Sequence, residues 1–355
     1  MSTPSQAEVR RMIAAAGTIV VKVGSSSLTQ PSGHLDPDKL DALAAALAQV
    51  RLMGGRVVLV SSGAIAAGFG PLGFDSRPVD VATQQATAAV GQGLLMARYE
   101  TAFGRFGIRV GQILITAEDT IRATQYRNVE RTLDRLLDLG VVPIINENDS
   151  LASNEIRFGD NDRLSALVAN LVRAEALEYV PNVIDALGDI QVSGSGSKVG
   201  TGGMVTKLEA ARVAAVSGIP TVLTCASNAG PAMMGDPVGT VFAPVKARGS
   251  SRRLWIGFAA DPRGTIVVDA GAGQAIRGGR ASLLAAGALE VHGDFSAGDP
   301  VWIDAESGEH LARGLAGFDS EEIPQMLGRN TAQLKRFLGP QYAHPLVHRD
   351  NLVLV

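Results

Sequence analysis

The sequence predicts an α/β protein, with a mostly parallel sheet sandwiched by helices and a smaller β-rich domain at the C-terminal end. Three observations carry this expectation. Runs such as "TIVVKVG" and "RVVLVSSG" are continuously apolar and rich in β-branched residues, so they read as strands buried on both faces. Through the first two thirds of the chain such runs alternate with helix-patterned segments, the order that builds a parallel sheet with helical crossovers. Near residue 250 the pattern changes to short alternating runs separated by Gly, Asp and Ser turns.

Taken in order, the opening "MSTPSQAEVRRMIAAAG" has too short an apolar patch for a signal peptide and reads as a loose helix or tail over 1–16. The main domain is expected over 17–250. Its first strand is 18–24, followed by the helix "DPDKLDALAAALAQVRLMGG", with Asp36 as N-cap, Pro37 at the first position and a glycine stop. After "RVVLVSSG" comes a long helix of small residues, "DVATQQATAAVGQGLLMARYETAFGRFG". Small side chains let helices approach closely, so this one suits contact with a second copy of the chain or with an internal neighbour equally well. "IRVGQILIT", "RNVERTLDRLLDLG", "VVPIIN" and "DRLSALVANLVRA" continue as strand, helix, strand and helix. In the last of these, Leu164, Leu167, Val168 and Leu171 form one apolar face behind a capping cluster, Asp160-Asn161-Asp162. The helix "MVTKLEAARVAAVSG" ends at Gly218 and leads to the strand "IPTVLTC". A linker around Lys246–Arg253 precedes the β-rich domain, expected over 262–341.

The bulk numbers fit two globular domains. The chain has 355 residues, 46% hydrophobic and 19% charged, enough to bury sizeable cores. A net charge of -3 advertises no global affinity for nucleic acid. One cysteine, Cys225, leaves no internal disulfide and fits a reducing cytoplasm. No apolar run is long enough to span a membrane. The five histidines, at 34, 292, 310, 344 and 348, make no metal-ligand pattern, and Pro345 argues against a binding helix between the last two.

Ligands of such sheets bind beyond the carboxyl ends of the strands, and the polar runs "KVGSSS", "SSGA" and "NENDS" all stand there. Lys22 lies within a buried strand pattern, where an unpaired ammonium is costly; either its head reaches solvent at the strand tip or it contacts a phosphate beside Gly24. "GTGGMVTK" (200–207) is a glycine-rich turn entering a helix, an anion-binding arrangement with Lys207 one turn inside, although a plain flexible loop reads the same way. It lacks the spacing of a Walker A motif, and no GxGxxG follows the first strand. At "VSSGAIAAG" (60–68), Ser62 and the N–H groups of Gly63 and Ala64 suit an anionic substrate. The run "INENDSLASNEIRFGDND" instead supplies acceptors, suited to an ammonium group, to lysines or to the waters of a magnesium ion; alone it reads equally well as a capping box and solvated loop. Two lysines on separate turns facing an acidic run suit phosphoryl transfer, where catalysis is mostly positioning and charge neutralisation.

In this order, "VVKVGSSSLT", "VSSGAIAAG", "VVPIINENDS", "GDNDRLSALVA" and "GTGGMVTK" resemble the glutamate 5-kinase family within the amino acid kinases, and "GTIVVDAGA", "GDFSAGDPVWI" and "ARGL" resemble a PUA domain. The resemblance runs from about Thr18 through nearly the whole chain. It implies the amino acid kinase fold and transfer of a phosphoryl group from ATP, with Mg2+, to L-glutamate, the first step of proline synthesis. It also implies inhibition by proline and a homo-oligomer, dimer or tetramer. Carried onto matching positions, Lys22 and Lys207 would contact the phosphates and Asp162 would hold both lysines. Ser62, Gly63, Ala64, Asp149 and Asn161 would bind glutamate, with Asp149 beside its α-ammonium. Gly24, Thr201, Gly202, Gly203, Met204, Val205, Thr206 and Lys207 would line the ATP site together with Lys22.

In one place the chain departs from the family. Near 177–180, where the family continues with a strand, a Thr-Asp or Ser-Asp pair, a Gly-Leu-Tyr and an Asp-Pro, "RAEALEYVPNVIDALGD" moves almost directly to the segment beyond. About twenty residues are missing by that comparison, and with them a buried strand of the sheet. Either they belong to the protein as a nucleotide loop beyond this sequence, or part of the ATP site is lost. Two rival readings follow: another amino acid kinase with a different acceptor, and a catalytically impaired RNA-binding protein. The second would rest on the PUA domain and a modest patch of Arg252, Arg253, Arg277 and Arg280.

Overall fold

The computed structural model describes residues 4–74, 78–116, 119, 123–149, 161–180, 204–245, 262–279 and 281–354. The chain divides into two units, Met1–Arg248 and Gly249–Val355. Within the described part of the first, α1 (Gln6–Ala14), β1 (Thr18–Val23), α2 (Pro37–Leu52), β2 (Arg56–Ser61), α3 (Ala64–Gly68) and α4 (Val81–Gly104) come in order. β3 (Val110–Ile115), α5 (Ala123–Asp138), β4 (Val142–Glu147), α6 (Asn161–Leu171) and β5 (Ala176–Val180) follow. α7 (Met204–Val216), β6 (Thr221–Leu223), α8 (Ala229–Met233) and β7 (Thr240–Phe242) complete the unit.

The strands form a sheet in the order β3-β4-β2-β1-β5-β6-β7, parallel throughout except for the antiparallel pair β6–β7. β1 stands between β2 and β5, and all six of its residues are buried, which is why "TIVVKV" runs without alternation. The order changes direction at β1, so the crevice beyond its carboxyl end is where a ligand fits. Asp36 caps α2 by accepting from the N–H groups of Asp38 and Lys39, with Pro37 at the first position. Asp80 caps α4 in the same way through Thr83.

The long helix meets an internal neighbour. A Cβ on Gly91 of α4 would lie 1.8 Å from the carbonyl oxygen of Ala64, and one on Gly68 of α3 would lie 2.2 Å from that of Thr87. Backbone therefore touches backbone between α3 and α4, and this contact holds the turn that precedes α3. Gly63 has φ 111°, a left-handed conformation that strains any side chain but suits glycine.

Three expectations are corrected. The segment read as a loose helix or tail is a helix, and a docked one: Ser5 and Glu8 form a capping box, Val9 and Ile13 are buried, and the Arg10 guanidinium donates to the carbonyl oxygens of Asp236, Val238 and Gly239. α6 does not present one apolar face; Ser165, Ala166, Ala169 and Asn170 are buried as well as Leu164, Leu167, Val168 and Leu171, because the sheet and α7 cover it from different sides. The slot for a lost strand is filled, with Ala176–Val180 pairing in parallel with β1 and β6.

In the second unit, β8 (Gly264–Val268), β9 (Ala288–Gly293), β10 (Pro300–Ala305), β11 (His310–Leu315) and β12 (Leu352–Leu354) form a sheet in the order β12-β11-β10-β8-β9. Helices α9 (Ala270–Arg277) and α10 (Thr331–Phe337) accompany it. Its core includes Ile266, Val301, Ile303, Leu346, Val347 and Leu352, so the fold uses residues past 341, where the domain was expected to end. Arg277 donates to Glu309 at 2.6 Å, while Arg252, Arg253 and Arg280 lie outside the described residues, as does the expected linker. No described helix is long and apolar enough to cross a membrane.

Candidate active site

Every expected site residue that is described stands at the carboxyl edge of the seven-stranded sheet or on a helix that begins there. Lys22 is the fifth residue of β1, in register with Val60 of β2 and Tyr179 of β5. Its side chain is 2% exposed and its ammonium group meets the carboxylate of Asp162, which is fully buried. The solvent-reaching reading of this lysine is thereby set aside. Lys207, on α7, reaches the other oxygen of the same carboxylate at 3.2 Å, and the Thr206 hydroxyl donates to that oxygen at 2.9 Å.

One carboxylate thus organises two ammonium groups drawn from separate turns, and the trio carries one more positive charge than negative. Burying such charges costs several kcal/mol per ion, so they persist only with good mutual geometry. Asp162 is held from behind as well: its carbonyl oxygen accepts from the Ser165 hydroxyl at 2.6 Å and from the buried Tyr179 hydroxyl at 3.3 Å. A carboxylate in the first turn of α6 also sits at the positive end of the helix dipole. Gly24 follows the last residue of β1, and a Cβ there would come 3.8 Å from the Lys22 ammonium nitrogen, an ordinary van der Waals distance.

Asn161, the neighbour of Asp162, faces another way. Its amide nitrogen donates to the Ser62 hydroxyl at 2.8 Å, to the Asn146 side-chain oxygen at 2.9 Å and to the Ser61 carbonyl at 3.2 Å. Its own side-chain oxygen is buried without a hydrogen-bond partner. Asn146 in turn donates to Gln92 of α4 at 3.0 Å. Ser62 is tied to β1 through its N–H, which donates to the carbonyl of Val23, and Gly63 and Ala64 open α3 beside it. Asp149 lies on the turn after β4, its N–H bonded to the Glu147 carbonyl. Met204, Val205 and Thr206 form the first turn of α7; Thr201, Gly202 and Gly203, like Asp160, lie outside the described residues.

Asn146 belongs to the acceptor run read from the sequence, whereas Gln92 was not singled out there. Gln92 carries a legible signal: it shares the buried stripe of α4 with Thr87, Ala88, Gly91 and Leu95, a polar side chain at a position the helical period assigns to the core. Ser61 and Tyr99 add a second buried contact, with their hydroxyls 2.8 Å apart, and burial pushes the Tyr99 phenol up from its ordinary value.

A lysine-paired carboxylate on a parallel sheet, beside an amide-lined cradle, is an arrangement suited to phosphoryl transfer, the chemistry of the kinase class. The profile of the amino acid kinase family matches residues 17–225 and that of the PUA domain residues 264–338. Glutamate 5-kinase from Bifidobacterium longum (strain NCC 2705) is 94% identical over 377 aligned positions, covering all of both chains. Glutamate 5-kinase from Thermobifida fusca (strain YX) is 52% identical, covering 98% of this chain and 96% of its own. Among solved structures, carbamate kinase from Giardia lamblia bound to AMP-PNP aligns at a TM-score of 0.46 and 17% identity, covering 65% of this chain and all of that one. The chain belongs to the glutamate 5-kinases of the amino acid kinase family.

Proposed function

We propose that the chain transfers the γ-phosphoryl group of ATP to the side-chain carboxylate of L-glutamate, giving L-glutamyl 5-phosphate and ADP, the first step of proline synthesis. One observation carries the reading. Asn161 and Asp162, consecutive at the start of α6, each organise one half of the site: Asp162 gathers Lys22, Lys207 and Thr206, and Asn161 gathers Ser62 and Asn146. The first half suits the phosphates. The second, with the N–H groups of Gly63 and Ala64 nearby and Asp149 on the adjoining turn, suits an amino-dicarboxylate.

The acceptor needs no general base, because a free glutamate side chain, with a pKa of about 4.3, is already ionised at neutral pH. The obstacle is repulsion between that anion and the triphosphate, which Lys22 and Lys207 offset from fixed positions. Magnesium travels with the nucleotide in this reading, since magnesium at kinase sites is held largely by substrate phosphates. Proline shares the α-carboxylate and amino nitrogen of glutamate, so inhibition by proline at the same cradle belongs to the proposal. So does a homo-oligomer, in line with the exposed Val90 and Leu94 on α4. A reducing cytoplasm is the proposed compartment.

ADP release measured with L-glutamate, L-aspartate and N-acetyl-L-glutamate tests the assignment. Glutamate alone is expected to support turnover; equal rates with either of the others would overturn it. Gln92→Leu is expected to raise the KM for glutamate about tenfold, because Asn146 loses its acceptor in a buried site, while the KM for ATP moves less than about twofold. Parallel rises in both constants would show that Gln92 serves the fold and not the glutamate cradle.

A further inference from the structure

β5 carries a side chain that its surroundings do not accommodate. Glu178 is fully buried, and neither of its carboxylate oxygens has a hydrogen-bond partner. It lies mid-strand, in register with Val21 of β1 and Val222 of β6. Alternation puts Glu178 on the face of Ala176, Val21 and Val222, which pack in one apolar core with Val9, Ile13, Ala232 and Met233. The neighbouring cations are engaged elsewhere: Arg10 of α1 holds three carbonyl oxygens, and on the opposite face Lys22 and Lys207 hold Asp162. Glu8 of α1 closes on Ser5, Arg11 is exposed, Arg163 of α6 meets Glu209, and α8 has no charged residue. A strand buried on both faces calls for an apolar run. Ala176 and Leu177 meet that requirement, and the mismatch begins at Glu178.

A second observation is independent of the first. The alignment with the Bifidobacterium longum relative runs over 377 positions, 22 more than the 355 residues of this chain. An identity of 94% over 377 positions is about 354 matches, so nearly every residue present is the same and the difference between the two chains is the 22 positions without a counterpart.

We infer that those positions are missing immediately before Glu178, so that Glu178–Val180 have been drawn from downstream into a strand slot that the longer relatives fill with other residues. The shortening then falls on the half of the site that holds the phosphates. β5 borders β1 at Lys22, and its Tyr179 hydroxyl bonds to the Asp162 carbonyl, whereas the cradle around Asn161 is built from β2, β4 and α4 on the other side of β1. Among the described residues the chain therefore keeps the groups of the glutamate half and lacks part of the nucleotide half, a consequence that rests on the function proposed above.

The join also makes the fold sensitive to pH. Burial pushes the Glu178 carboxyl well above its ordinary value of 4.5, so the folded state keeps a proton that the unfolded state releases. Stability is full below that ordinary value and is lost as pH rises toward the raised folded value.

The Bifidobacterium longum relative is the natural control. Melting temperature is measured from pH 5 to pH 8 for this chain, for its Glu178→Leu variant and for the relative. Glutamate affinity is measured by calorimetry without nucleotide, and KM for ATP by ADP release. The chain is expected to lose more stability with rising pH than the relative, and Glu178→Leu is expected to remove most of that excess slope. KM for ATP is expected to be at least about tenfold higher in the chain than in the relative, and to stay high in Glu178→Leu, with glutamate affinities within about twofold. Equal pH slopes in chain and relative, or an unchanged slope in Glu178→Leu, overturn the placement of the join. Equal KM for ATP overturns its consequence for the nucleotide half. Failure of both chains to use glutamate would count against the proposed function alone, since the melting curves do not depend on turnover.

Discussion

Lys207→Ala lowers turnover at saturating glutamate and ATP by roughly 10²–10³-fold, the loss expected when one preorganised donor to a charged transition state is removed. Lys207 sits in the first half of α7 with its ammonium 3.2 Å from the Asp162 carboxylate, 12% exposed, so it is both fixed in place and open on one side. Charge on the transferring phosphoryl group is greatest in the transition state, so the effect appears in kcat, and KM for glutamate should move little. Steady-state kinetics with either substrate varied check this. A variant that keeps near-normal kcat would remove Lys207 from the reacting centre. Lys207→Arg is the useful companion, because a planar guanidinium cannot take the place of a compact ammonium against Asp162 and should recover only part of the loss.

Asp162→Ala has the larger effect on the fold. It strips the carboxylate from Lys22, which is 2% exposed, and from Thr206 and Lys207 at once. Breaking a buried pair by deleting one partner costs about 3–5 kcal/mol, because the remaining charge stays desolvated. Urea denaturation of the variant should show a stability loss of that order, with activity gone even where the protein is still folded. Asp162→Asn keeps the shape and an acceptor for the Thr206 hydroxyl, so it should lose less stability while still losing the charge that aligns both lysines. If Asp162→Ala were as stable as the parent chain, the lysines would have other anchors and the carboxylate would not be the organiser of the site.

Much of the fold was legible because its signals are local. β1 and β2 announced themselves as unbroken apolar runs, and they are buried at nearly every position. Asp36 and Pro37 marked the start of α2 through capping chemistry that involves only the next few residues. Lys22 stood out because an ammonium in a buried strand demands a partner. The misreadings arose where local pattern was silent. Nothing in "QAEVRRMIA" shows that Arg10 finds three carbonyl oxygens more than two hundred residues away. The four apolar residues of α6 suggested one covered face, whereas its polar positions are buried too: Asn170 bonds to Ser217 of the segment after α7, and Ser165 to the Asp162 carbonyl.

What the sequence determined by itself is the set of parts: a parallel sheet, three polar turns at its strand ends, and lysines and an acidic run of the kind that phosphoryl transfer uses. Those follow from periodicity, capping and turn chemistry, which act over a few residues. The tertiary structure alone decided how the parts combine: that Asn161 bonds to Ser62 and Asn146 while its neighbour Asp162 pairs with Lys22 and Lys207, that Gln92 reaches Asn146 across 54 residues of chain, and that Glu178 fills a slot made for an apolar side chain. The physical reason is that these outcomes depend on strand order and register, which bring distant residues to one edge, and on burial, which sets the cost of each polar group only after the neighbours are in place.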